Sequence, residues 1–119
     1  MIGTVGTDII ELERVRQFIE RGPRYLERLF TDRELKLGEA KGNQVSYYAG
    51  RFAAKEAVAK CLGPPFGWHE VEILSHESGK PFVELHGAAK EAARDGAVVI
   101  SIAHCRGYAT AVAILEKAG

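Results

Sequence analysis

From Glu11 to Gly22 the apolar residues Leu12, Val15, Phe18 and Ile19 recur at helical spacing, and Gly22-Pro23 then breaks the run. Ahead of it, Ile2 to Ile10 reads as a strand. Gly3 and Gly6 lie inside that strand, where glycine marks close approach by another backbone or by a ligand. A helical turn over Arg24 to Phe30 follows. Thr31 with Glu34 three residues on forms a capping box that starts a short charged helix to about Lys41. The longest helix is predicted over Gln44 to Leu62. Tyr48, Phe52, Ala59 and Leu62 mark its apolar stripe, Ala49, Ala53 and Ala57 allow close packing, and Gly63-Pro64-Pro65 stops it. Val71 to Leu74 and Phe82 to Leu85 are short β segments joined by the turn residues Glu77-Ser78-Gly79-Lys80. Ala88 to Arg94 is an alanine-rich helix ended by Asp95-Gly96. Val98 to Ala103 and Tyr108 to Leu115 are strands around Cys105-Arg106-Gly107. The order β-α-α-α-β-β-α-β-β predicts an α+β fold, an antiparallel sheet packed with a long helix. No repeat, linker or low-complexity tract divides residues 1–119, so a single domain is expected.

Composition narrows the function classes. A chain of 119 residues supports one modest core, so a large ligand must sit at an edge or an interface. Sixteen Lys+Arg balance sixteen Asp+Glu, which removes the uniform basic field of a general nucleic-acid binder. No apolar run approaches the roughly 20 residues that span a bilayer, and no basic segment leads into an apolar stretch at the start, so a soluble, unexported protein is expected. Two cysteines, Cys61 and Cys105, without a CxxC pair, suit a reducing cytoplasm, and the four histidines lack zinc-site spacing.

Three groups of residues carry candidate chemistry. In Gly6-Thr7-Asp8-Ile9-Ile10-Glu11 a carboxylate sits near the end of a glycine-containing strand, where it ligates a metal or caps the next helix. In Arg51-Phe52-Ala53-Ala54-Lys55-Glu56-Ala57-Val58-Ala59-Lys60, Glu56 and Lys60 share a helix face. They form either a surface ion pair worth about 0.3–0.5 kcal/mol or a pair facing a phosphate–metal site. In Ile100-Ser101-Ile102-Ala103-His104-Cys105 a strand ends in His104, a ligand-binding residue or a satisfied strand-end histidine. Cys105 points to the opposite face and makes a poor dyad with it.

Taken together and in this order, these groups resemble the holo-acyl-carrier-protein synthases, the small bacterial-type 4′-phosphopantetheinyl transferases. The resemblance covers the whole chain. It rests on Gly6-Thr7-Asp8-Ile9-Ile10-Glu11 with Arg14, on Arg51 to Ala57 with Lys60 and Gly63, on Gly79-Lys80-Pro81, and on Ser101-Ile102-Ala103-His104 with Tyr108-Ala109. It implies Mg²⁺-dependent transfer of 4′-phosphopantetheine from coenzyme A to a serine of apo acyl carrier protein, for fatty acid biosynthesis, with release of adenosine 3′,5′-bisphosphate. Asp8 and Glu56 match the family's metal-binding carboxylates, and Lys60 its lysine beside the pyrophosphate. Gly79, Lys80, Pro81 and His104 fall in segments that contact coenzyme A, and Arg51 is assigned to the 3′-phosphate. Ala103 stands where relatives often carry Ser or Thr, so rearranged phosphate binding is expected there. The resemblance also implies a homotrimer, with Asp8, Glu56 and Lys60 from one subunit meeting His104 and the Gly79-Lys80-Pro81 turn of the next.

Between residues 14 and 28, Arg14, Arg16, Arg21, Arg24 and Arg28 oppose only Glu20 and Glu27. This basic stretch is expected to dock the acidic carrier protein through Arg14, Arg21, Arg24 and Arg28. Two other function classes remain: a non-catalytic module that binds coenzyme A or the carrier protein, and a metal-dependent phosphohydrolase that needs no acceptor.

Overall fold

The computed structural model describes residues 1–118. Strand β1 (Ile2–Glu11) leads into helices α1 (Leu12–Glu20), α2 (Pro23–Leu29), α3 (Asp32–Glu39) and α4 (Gln44–Leu62). A 3-10 turn (Trp68–Glu70) precedes the hairpin β2 (Val71–Ser75) and β3 (Pro81–Leu85), followed by α5 (Gly87–Ala93), β4 (Ala97–His104) and β5 (Tyr108–Glu116). The strands divide into two antiparallel sheets, a three-stranded one in the order β1-β5-β4 and the separate hairpin β2-β3. The first and last strands of the chain are thus neighbours, with Gly6 opposite Ala113 and Asp8 opposite Ala111.

α4 is the axis of the molecule. Asn43 caps its start, accepting from the Ser46 N–H at 3.1 Å, and Gly63 ends it at φ 103°, a conformation a side chain would strain. Tyr48 and Phe52 are buried as the stripe predicts, but Ala59 and Leu62 are only half-buried. Ala49, Ala53, Ala54, Ala57 and Val58 are fully buried on other faces. The helix is therefore a core element packed on several sides, against the three-stranded sheet, α1, α3 and β2. Small alanines let those elements approach, and the volume is filled by aromatic rings. Phe52 lies between Phe18 and Trp68, with ring centroids 5.2 and 5.1 Å away, and Phe30 meets Tyr48 at 4.8 Å.

The capping box at Thr31 forms as predicted, Thr31 Oγ1 accepting from the Glu34 N–H and Glu34 Oε1 from the Thr31 N–H. The capping reading of Asp8 is not realised. α1 begins after Glu11, whose side chain makes no cap bond, and Asp8 lies three residues earlier in the body of β1.

Candidate active site

Gly6 decides where β1 crosses α4. A Cβ there would stand 2.1 Å from the Ala57 carbonyl oxygen and 2.7 Å from the Cys61 nitrogen, so only glycine lets the strand lie against the helix backbone. The close approach read from the sequence is thus one of backbone to backbone. Two residues on, Asp8 reaches the last turns of α4. Its Oδ1 accepts from Lys60 Nζ at 3.1 Å, and the same ammonium donates to the Thr7 carbonyl at 3.1 Å. Lys60 therefore spans to the strand rather than closing an ion pair with Glu56 one turn below it.

Glu56 faces the same corner. Burial pushes its carboxyl above the usual range, and the charge of Asp8 pushes it further. Lys60 and Arg14 pull the other way. Two carboxylates at one corner, Asp8 and Glu56, flanked by the cations Lys60 and Arg14, form a donor set that fits a hard divalent ion. Arg14 of α1 completes the corner, with its guanidinium 5.7 Å from the centroid of the Phe18 ring.

The remaining predicted residues gather elsewhere on α4. Arg51, about two and a half turns before Lys60, lines an open cavity of about 300 Å³ with Lys41, Asn43, Ser46 and His104. Its guanidinium lies 4.5 Å from the centroid of the Tyr47 ring and donates to Ser75 Oγ. Arg51 Nε has no partner, the sole buried side-chain nitrogen or oxygen so left among the described residues. The positive charges of Lys41 and Arg51 on this open cavity suit an anion. Ser75 pairs across the hairpin with Pro81, so the Gly79-Lys80-Pro81 turn lies at this same end. Lys80 and His104 are exposed, and Gly79 holds the turn at φ 92°. Among the described residues no hydrogen bond or ion pair joins this group to Asp8, Glu56 and Lys60.

Sequence reasoning missed two charged networks. Lys55 is fully buried, donating from Nζ to Glu34 Oε1 at 2.8 Å, to the Trp68 carbonyl at 2.8 Å and to the Val71 carbonyl at 2.7 Å. Burial pushes its ammonium below the usual value, against the pull of Glu34. Glu34 Oε2 also accepts from the Ile73 N–H at 2.8 Å, so α3, α4 and β2 meet at one ion pair. The available signal was a lysine set among the alanines of a helix packed on several sides. The second network surrounds Glu72, which accepts from Arg33, Thr31 and His86. Burial alone would raise this carboxyl, but those hydrogen bonds outweigh it and hold it at about 2. Glu72, Glu84 and His86 bring ligand atoms within 4.8 Å of one another. Arg33 bonds both carboxylates, which makes the cluster an ion-pair network rather than a cation site.

A pair of carboxylates and a lysine at a strand–helix crossing, in an α+β domain, defines a centre suited to phosphoryl chemistry. The model of the 4′-phosphopantetheinyl transferase superfamily matches residues 4–113. A holo-[acyl-carrier-protein] synthase of Clostridium novyi is 44% identical over 98% of this chain and 88% of its own length. The crystal structure of a holo-(acyl-carrier-protein) synthase from Bacillus anthracis in complex with CoA superposes with a TM-score of 0.85 at 29% identity, covering 99% of both chains. The synthase from Neisseria meningitidis gives 0.86 at 32% identity, over 98% of this chain and all of that one. The chain belongs to the 4′-phosphopantetheinyl transferase superfamily, within its holo-[acyl-carrier-protein] synthase family.

Proposed function

We propose that this chain, acting as one domain, transfers 4′-phosphopantetheine from coenzyme A to a serine of apo acyl carrier protein, the step that equips fatty acid biosynthesis with its carrier. The observation that carries this reading is the convergence of Asp8, Glu56 and Lys60 at the crossing of β1 and α4. Asp8 and Glu56 would hold Mg²⁺, which would supply charge neutralisation on the pyrophosphate. Lys60 places its ammonium beside the same oxygens, stabilising the charge that grows on the leaving phosphate. The serine oxygen forms a bond to the phosphorus that bears pantetheine, and the bond to the bridging pyrophosphate oxygen breaks. Adenosine 3′,5′-bisphosphate leaves. Glu56 takes the serine proton directly or through a water.

Arg51 and the cavity it shares with His104 bind the 3′-phosphate, with the Gly79-Lys80-Pro81 turn along the nucleotide. The exposed Arg14, Arg21, Arg24 and Arg28 dock the carrier protein. The two half-sites, which no hydrogen bond or ion pair joins among the described residues, suit a homotrimer in which each active centre is shared between neighbours. The outer face of the three-stranded sheet supports it too, since Ile2, Val5, Ile9, Val99 and Tyr108 are exposed. No helix among the described residues is long and apolar enough to cross a membrane, and two unpaired thiols fit the cytoplasm.

Release of adenosine 3′,5′-bisphosphate from coenzyme A tests the reading. It should require both Mg²⁺ and apo carrier protein. Release without an acceptor would mark a phosphohydrolase, and binding without release a non-catalytic module. Mixing Glu56→Gln with His104→Ala subunits tests sharing. Random cyclic trimers are about three-quarters mixed with one intact centre in three, so about a quarter of wild-type activity should return. No recovery above the parents would place the whole centre within one subunit.

A further inference from the structure

Immediately beside Glu56 lies a small slot of about 50 Å³, walled by Glu56, Ala59, Phe66, Trp68 and Val71. Its lining is mainly apolar. That volume is roughly a third of the 150 Å³ of a cavity that holds benzene, so it takes a pair of methyl groups and no ring. The far wall is held by several independent bonds. Lys55 Nζ grips the carbonyls of Trp68 and Val71 at 2.8 and 2.7 Å, and Trp68 stacks on Phe52 at 5.1 Å. Glu70 closes the turn by accepting from the Gly67 N–H at 2.8 Å. A charged side chain buried with its partner Glu34 thus serves to fix a surface wall opposite a candidate metal ligand.

We infer that this slot seats the two geminal methyl groups of the pantoyl unit, and that the Glu34–Lys55 pair positions its Trp68 wall. The inference rests on the transfer reaction proposed above. In coenzyme A the carbon bearing those methyls is separated from the reacting phosphate only by one oxygen and one methylene. A phosphate held at Glu56 therefore carries an apolar, branched carbon within reach of the slot. Seating it fixes the direction of the pantetheine arm and turns the phosphorus toward the incoming serine.

The test compares coenzyme A with an analogue whose pantoyl unit lacks both methyls, as substrates of the wild type and of Ala59→Leu, which fills the slot. The wild type should favour coenzyme A by about tenfold or more in kcat/KM, as apolar pockets do for small alkyl differences. In Ala59→Leu that preference should collapse toward unity, because coenzyme A loses its seat. Trp68, the single tryptophan of the chain, gives a second readout that needs no variant. Its emission should shift on binding coenzyme A and stay constant on saturation with adenosine 3′,5′-bisphosphate, which lacks the arm. Equal use of the two substrates by the wild type, a preference that survives filling the slot, or the same Trp68 response to both ligands overturns the inference. If the wild type transfers from neither substrate, the functional reading itself falls, and the seat with it.

Discussion

Replacing Lys55 by methionine keeps the stem and removes the ammonium, which leaves Glu34 as a buried charge without its partner. Breaking a buried pair from one side costs about 3–5 kcal/mol. The carbonyls of Trp68 and Val71 lose a donor each, at about 1 kcal/mol apiece, so about 5–7 kcal/mol in all is at stake. A domain of 119 residues is stable by about 6–18 kcal/mol, so the change removes a large share of that stability and should lower the melting temperature by about 20 °C or more. The double variant Lys55→Met/Glu34→Gln buries no charge and should recover part of that loss. Glutamine retains one carbonyl oxygen, where Glu34 offers two to the N–H groups of Thr31 and Ile73. Urea unfolding of the four proteins at one fixed concentration gives the coupling, which should exceed about 2 kcal/mol in favour of the pair. Losses from the two single changes that simply add in the double variant would refute the reasoning, since they would mean that neither charge depends on the other.

Asp8→Asn and Glu56→Gln should each nearly abolish turnover with little change in melting temperature; near-wild-type rates for both at limiting Mg²⁺ would sink the metal assignment. Charge reversal at Arg14 and Arg21 should raise KM for carrier protein, most at low salt where the wild-type attraction is least screened, while KM for coenzyme A holds; equal effects on both substrates would argue against docking there. Glu72 is depressed from 4.5 to about 2, so its stabilising contribution is complete above the unfolded value and is lost as pH falls through the folded one. Acid unfolding should therefore be steeper in the wild type than in Glu72→Gln between about pH 4.5 and 2, and parallel profiles would contradict the network. Gly6→Ala should destabilise severely, because its Cβ would meet the Ala57 carbonyl at 2.1 Å; an unaltered melting curve would mean the crossing yields freely.

Local chemistry made most elements legible. α4 runs from Gln44 to Leu62 as its apolar stripe and its Gly63-Pro64-Pro65 stop predict, and the capping box sets the start of α3. Strand ends differ by a residue or two, as where β5 continues to Glu116. What escaped was non-local. The division into two sheets depends on β1 pairing with β5 at the far end of the chain, and no local pattern records that choice. Asp8 looked like a helix cap because its neighbours in sequence suggest one. Its partner Lys60 lies 52 residues away, brought near only by the Gly6 crossing. Lys55 escaped for the same reason, since its polar partners come from α3, the turn at Trp68 and the first residue of β2.

The transfer reaction is tested most directly by intact-mass measurement on apo carrier protein incubated with the chain, Mg²⁺ and coenzyme A. The carrier should gain the mass of one 4′-phosphopantetheine, and replacing its acceptor serine with alanine should abolish the gain. An unchanged carrier mass, with a folded enzyme and a competent apo carrier confirmed by a known synthase, would contradict the account.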